Sequence, residues 1–164
     1  MSSIVVGITP AQIALLTTTQ IASLATSDIV ALTTAQLAAF TPGQINQGFT
    51  TQEIAALTTA QLSVGLSPDQ VAAMTTTELA ALTTAQVITG LTTAQIAALS
   101  PAQLAALHAV SPVSVTTNQI GLGLTTAQIA ELTTAQIAAL TTTEINKYLT
   151  TAEVAALTTE QIDA

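Results

Sequence analysis

Acid–base side chains are sparse in this chain of 164 residues, which has nine Asp or Glu, one His, a single Lys or Arg, and no Cys. A glycosidase-type site needs two carboxyl groups flanking a substrate, and a metal site needs clustered His, Cys or acidic ligands. His108 has neither Cys nor a carboxylate near it in the sequence, and Lys147 is isolated. No Gly-rich phosphate loop and no nucleophile–base pattern accompanies them. The sequence therefore predicts no catalytic residue, no metal ligand and no cofactor, and the chain is interpreted as non-enzymatic.

Most of the acids follow a short repeat instead. They fall in the first turn of a predicted helix, where the helix dipole favours an anion, so we expect them to cap helices. Glu131 and Asp163 come later in their repeats and are expected to be solvated. The capping acids are Asp28, Glu53, Glu78, Glu144 and Glu153 at one repeat position, and Asp69 and Glu160 one place before it.

The repeat itself is the octapeptide Leu-Thr-Thr-Ala-Gln-Ile-Ala-Ala, present in about nineteen copies. In one copy, Thr133 and Gln136 have the spacing of a capping box, and Leu132 and Ile137 have the spacing of a hydrophobic staple. Each repeat is therefore predicted to begin a new helix. Proline is favoured at the first helical position, and it follows the cap at Pro10, Pro42, Pro68 and Pro101.

A continuous helix or a strand does not suit this pattern. In one long helix the apolar stripe would rotate by roughly 80° per repeat, and in a strand the Leu and Ile would point to opposite faces. The pattern predicts an all-α solenoid of very short capped helices with Leu and Ile inward. It comprises residues 8–164 as one domain, after an N-terminal cap or edge segment at residues 1–7.

An extra residue at intervals along the chain predicts how many helices make one coil. Glycine at these places suits the left-handed conformation just past a helix, whereas Tyr148 would be strained there. Gly65 and Gly90 are 25 residues apart, so we expect about three helices per 25-residue coil, with two or four as alternatives. The extra residues are Gly48, Gly65, Gly90, Gly123 and Tyr148.

One segment, at about residues 107–115, breaks the repeat. His108 replaces the capping Thr, and Pro112 falls where proline disrupts a helix, so Val113 to Val115 is expected to be extended. His108, Pro112, Val113 and Val115 are therefore the candidate residues of an interaction loop, with a simple surface bulge as the alternative.

Composition limits the function classes. Hydrophobic residues make up 49% and charged residues 6% of the chain, and the net charge is −8. This acidic balance argues against nucleic acid and anionic membranes, and the interrupted apolar pattern argues against membrane insertion. Met1 to Gly7 lacks the features of a cleavable signal peptide, so export would use another route or a parent chain.

The Leu-Thr-Thr-Ala-Gln-Ile-Ala-Ala repeats, over Ile8 to Ala164, resemble the octapeptide arrays of large bacterial surface, secreted or flagellin-like proteins. The resemblance implies a structural or scaffold module, extracellular or at the cell surface, with a cytoplasmic location as the alternative. The expected partners are another copy of the chain through its end coils, or another protein. Ice binding through a Thr array, and peptide or protein binding, are the alternative functions.

Overall fold

A computed structural model of the chain describes residues 5, 7–110, 124–130, 132, 134–138, 142, 145–146 and 149–163. Several residues named from the sequence lie outside this part of the chain. They are Pro112, Val113, Val115, Gly123, Glu131, Thr133, Glu144, Lys147 and Tyr148.

The described residues form short helices with no β-strand among them, which confirms the all-α prediction. Most of these helices have four to seven residues. In chain order they are α1 (Pro10–Ile13), α2 (Thr18–Ala22), α3 (Thr26–Ala31), α4 (Thr34–Ala38), α5 (Pro42–Gly48), α6 (Thr51–Ala56), α7 (Gln61–Gly65), α8 (Pro68–Ala72), α9 (Thr76–Ala80), α10 (Gln86–Gly90), α11 (Thr93–Ala97), α12 (Pro101–Val110), α13 (Thr126–Ala130), α14 (Thr134–Ala138), α15 (Thr151–Ala155) and α16 (Thr159–Ile162).

Capping explains why the helices are short. At the start of α4, the extended residue Thr33 accepts a hydrogen bond from the Gln36 backbone N–H at 3.2 Å through Oγ1. The Gln36 side chain accepts from the Thr33 backbone N–H at 2.8 Å, which completes the predicted capping box. Each such extended cap ends one helix and begins the next.

Helix α12 shows what happens when the cap is missing. It runs for ten residues, Pro101–Val110, and continues through the point where the next repeat would begin. His108 stands there in place of a Thr, so no hydroxyl is available to cap a new helix. The backbone of His108, expected in an irregular segment, therefore lies within a helix.

The helices pack at a fixed interval along the chain. Every helix from α1 to α9 contacts the helix three places later, so α1 packs on α4, α2 on α5, and α9 on α12. Beyond the undescribed residues, α13 packs on α15 and α14 on α16. The Leu and Ile predicted to point inward form the core between these helices, as at Ile54 and Leu62, both 0% exposed.

The prediction of left-handed backbone at Gly48, Gly65 and Gly90 is wrong. Close packing against a neighbouring helix explains the glycines instead. Among the described glycines, only Gly7 has a positive φ. A Cβ at Gly65 would lie 3.1 Å from Leu37 Cδ1, and a Cβ at Gly48 would lie 3.1 Å from Ile21 Cβ. The extra residue is absorbed instead within the helix, as a π-helical turn in both α7 and α10.

Candidate functional site

The side chain of Gln61 makes two kinds of hydrogen bond at once. Its Oε1 accepts from the Thr58 backbone N–H at 2.8 Å, which caps the N-terminus of its own helix. Its Nε2 donates to the backbone carbonyls of Ile29 at 2.8 Å and Leu32 at 2.9 Å. The amide group is buried and uses both of its polar atoms. It thus links the start of its own helix to main-chain carbonyls about thirty residues earlier in the chain.

The same bonding recurs at nine positions among the described residues. In each case Nε2 donates to main-chain carbonyls 28 to 33 residues earlier. For every member except Gln36, these carbonyls lie at the end of one helix and in the linker before the next. We call these side chains the glutamine ladder. Its members are Gln36, Gln44, Gln61, Gln70, Gln86, Gln95, Gln103, Gln128 and Gln161.

The ladder solves a problem that short helices create. Each helix leaves its last carbonyl groups without intrahelical partners, and from α1 to α11 a helix ends every 7 to 10 residues. Burying such groups unpaired costs about 1–3 kcal/mol each. Because Nε2 supplies the missing donor, the helix ends can be buried between neighbouring helices.

Acids replace glutamine at three described ladder positions. These positions lie in one file, by which we mean a row of helices that pack on one another. Asp28, Glu53 and Glu78 are each 25 residues apart and lie in α3, α6 and α9, which pack on one another in that order. All three are buried, with 6%, 2% and 4% of their surface exposed. The sequence predicts first-turn caps at these positions, and the caps are present, but the burial was not expected. A fourth acid, Glu153 in α15, is half-buried.

Glu53 retains only part of the ladder's bonding. Its Oε2 accepts from the Thr50 backbone N–H at 2.6 Å, as the capping box requires. Its Oε1 is buried and has no hydrogen-bond partner. The ladder register places this oxygen where an amide nitrogen would face the carbonyls of Ile21 and Leu24. A carboxylate offers no donor to these carbonyls, so the ladder is interrupted at α6.

The described residues offer little else for chemistry. They contain no Lys or Arg, because the single one in the chain is Lys147. No group of three His, Cys, Asp or Glu among them could hold a metal ion. None of the described helices has the length and apolarity to cross a membrane. The ladder and its acidic file are therefore the distinctive arrangement in this part of the chain.

Comparison of the chain with protein-family models, with curated proteins and with solved structures finds no match.

Proposed function

We propose that this chain is a non-enzymatic structural module, a solenoid with three short helices per turn that acts as a scaffold or spacer in a bacterial surface or matrix protein. The observation that carries the proposal is the packing of each helix from α1 to α9 on the helix three places later. A constant interval of this kind is what stacked turns of a solenoid produce, since each turn contacts only its neighbours.

The ladder supports the same architecture. Its bonds always reach back 28 to 33 residues, slightly more than one set of three helices, wherever they occur in the chain. In a solenoid such bonds run between consecutive turns and stiffen the axis. The polar atoms of these glutamine side chains are already used in hydrogen bonds within the fold, so they are not free to bind a substrate. This arrangement suits a spacer better than a catalyst.

The location is proposed from the same features together with the repeat resemblance. Apolar residues make up 49% of the sequence, and there are no cysteines to form disulfides. Stability must therefore come from stacked cores and main-chain bonds. A surface or matrix module that holds other domains apart needs such a self-supporting rod and no reactive group.

Ice binding is less favoured by the hydroxyl geometry. Cap residues such as Thr33 and Thr83 are exposed and could form a regular array. However, Thr33 Oγ1 accepts from the Gln36 backbone N–H, and Thr83 Oγ1 accepts from the Gln86 backbone N–H. Hydroxyls held by the backbone are poorly placed to order water. Thermal hysteresis in a freezing assay would favour ice binding over the scaffold.

The architecture can be tested by lengthening the chain. A variant that repeats residues 66–90 in tandem adds one set of three helices with its ladder contacts. Small-angle X-ray scattering should show the longest dimension growing by about 8–10 Å, the distance between packed helices, with an unchanged cross-section. In a matched variant, 25 Gly/Ser residues are inserted at the same junction. Because this insert forms no helices, the longest dimension should not grow by this fixed amount. A compact particle, or growth in cross-section, would contradict the proposal.

A further inference from the structure

Helix α6 contains a buried oxygen atom that lacks a hydrogen-bond donor. Glu53 is 2% exposed, and its Oε1 has no hydrogen-bond partner. The ladder register places Oε1 opposite the carbonyls of Ile21 and Leu24, where the ladder glutamines have an amide nitrogen. An ionised carboxylate here brings acceptor oxygens together with no hydrogen atom between them, which is unfavourable away from water.

The helices around α6 supply no positive charge to this carboxylate. Helix α6 packs against α3 and α9. The titratable group of α3 is Asp28 and that of α9 is Glu78, and these side chains are 6% and 4% exposed. Helices α5 and α7, which precede and follow α6 in the chain, have no titratable side chain, and the described residues include no Lys or Arg. The neighbouring helices therefore bring only carboxyl groups to Glu53, and like charges disfavour a further buried charge.

We propose that Glu53 is a proton-binding site that completes the ladder at α6. A proton on Oε1 turns the carboxylate into a carboxylic acid, which has one O–H donor and keeps an acceptor at Oε2. The O–H donates to the carbonyl of Ile21 or Leu24, while Oε2 still accepts from the Thr50 backbone N–H. The acid then acts as the glutamine amide does, with one donor hydrogen in place of two.

Proton binding at this site links the stability of the fold to pH. In the unfolded chain the Glu53 carboxyl group lies in water and gains no carbonyl partner, so the folded chain binds the proton more tightly. The stability that comes from this group is therefore present at low pH and is lost as the pH rises. Carboxylates that only cap helices act in the opposite direction, because backbone N–H donors favour the ionised form. The contribution of Glu53 must therefore be measured against a variant at the same residue.

Glu53→Gln is that variant, because its amide is a donor at every pH. Urea titration followed by circular dichroism gives its free energy of unfolding and that of the unmodified chain. The titrations are repeated from about pH 7 to about pH 4, the range over which a glutamate side chain gains its proton. The stability advantage of Glu53→Gln should fall by about half or more over this range, because the acid supplies one of the two donor hydrogens.

Glu160→Gln is the matched control. It removes one carboxylate at an exposed first-turn position of α16 and leaves the ladder unchanged. The difference in stability between Glu160→Gln and the unmodified chain should change far less with pH than the difference for Glu53→Gln.

An advantage of Glu53→Gln that is the same at both ends of the pH range would overturn the proton site. An advantage that grows in acid, up to unfolding of the unmodified chain alone, would overturn it too. So would a fall that Glu160→Gln shows to the same extent, since that result would reflect net charge. The scaffold proposal does not depend on this outcome, because it is tested by the length of the particle.

Discussion

Glu53 and Gln61 occupy the same position in consecutive repeats, and both are buried, at 2% and 4% exposure. Gln61 Nε2 donates to two main-chain carbonyls, whereas Glu53 Oε1 is buried without a hydrogen-bond partner. The two side chains differ in one atom, an oxygen in place of an amide nitrogen. Glu53 therefore lacks the hydrogen bonds to main-chain carbonyls that the glutamines at this repeat position make.

Replacing Glu53 with Gln should stabilise the protein. The new amide keeps the cap on Thr50 and gives the unpartnered atom a role as donor, so the free energy of unfolding should rise by about 1–3 kcal/mol. Denaturant titration followed by circular dichroism measures the change. Glu160→Gln, at an exposed first-turn acid outside the ladder, is the control and should change stability by less than about 0.5 kcal/mol. Equal effects of the two substitutions would contradict the ladder interpretation.

The reverse change, Gln61→Glu, should destabilise the protein by about 1–3 kcal/mol, because the Ile29 and Leu32 carbonyls lose their donor while the cap on Thr58 is kept. Gln12 is exposed, and its Oε1 accepts from the Thr9 backbone N–H, a bond that a Glu carboxylate keeps. Gln12→Glu should therefore lower the stability only slightly. A thermal melt compares the two variants. If Gln61→Glu were as harmless as Gln12→Glu, the bonds between helices would contribute nothing.

Two glycine substitutions should have opposite signs. Gly65→Ala places a methyl group 3.1 Å from Leu37 Cδ1 and 3.4 Å from Thr34 Cα, and overpacking of this kind costs about 1–3 kcal/mol. Gly43→Ala meets nothing closer than Thr41 Oγ1 at 4.0 Å and should stabilise α5 by about 0.5–1 kcal/mol. Chemical denaturation at one temperature measures both. Stabilisation by Gly65→Ala would show that conformational freedom, rather than space, explains the glycine.

The two threonines of a repeat should differ in importance. Thr75 caps α9 by accepting from the Glu78 backbone N–H at 3.2 Å, so Thr75→Ala should cost about 1 kcal/mol. Thr76 is exposed and lies inside the helix, so Thr76→Ala should cost little. If thermal melts showed equal losses of stability for the two variants, the assignment of Thr75 as the capping residue would be wrong.

Core truncation should be costly even in the last described turns. Ile137 in α14 is 7% exposed, and Ile137→Ala should lower the free energy of unfolding by roughly 2–5 kcal/mol. Val64→Ala, at a side chain that is 72% exposed, is the matched control and should change it by less than about 0.5 kcal/mol. Urea titration distinguishes the two, and a silent Ile137→Ala would contradict the inward assignment.

The local structure could be predicted from the sequence because short-range chemistry determines it. Thr and Gln three residues apart specify a capping box, and Leu and Ile at fixed places specify the buried side, whatever surrounds them. The interval of three helices was also predictable from the spacing of Gly65 and Gly90, although the reason for the glycines was not. Whether a glycine serves a left-handed turn or a close approach depends on which atoms face it across the packed helices.

The ladder was harder to predict because it joins residues 28 to 33 positions apart. Capping alone accounts for a Gln or a Glu equally well, so the repeat position of Glu53 predicts a cap and nothing more. One signal was available in the sequence. Glutamine is far more frequent than glutamate at this position, and only the amide can donate a second bond.

The 25-residue interval between Gly65 and Gly90 also bears on how such a chain can change length during evolution. Gain or loss of a single octapeptide would put the inserted glycines over the wrong neighbours, whereas gain or loss of 25 residues leaves every remaining contact in register. Unequal recombination between repeats should therefore be tolerated mainly in blocks of this size. If the proposed scaffold function holds, natural variants of different length would share one packing scheme and differ in the number of stacked helix triplets.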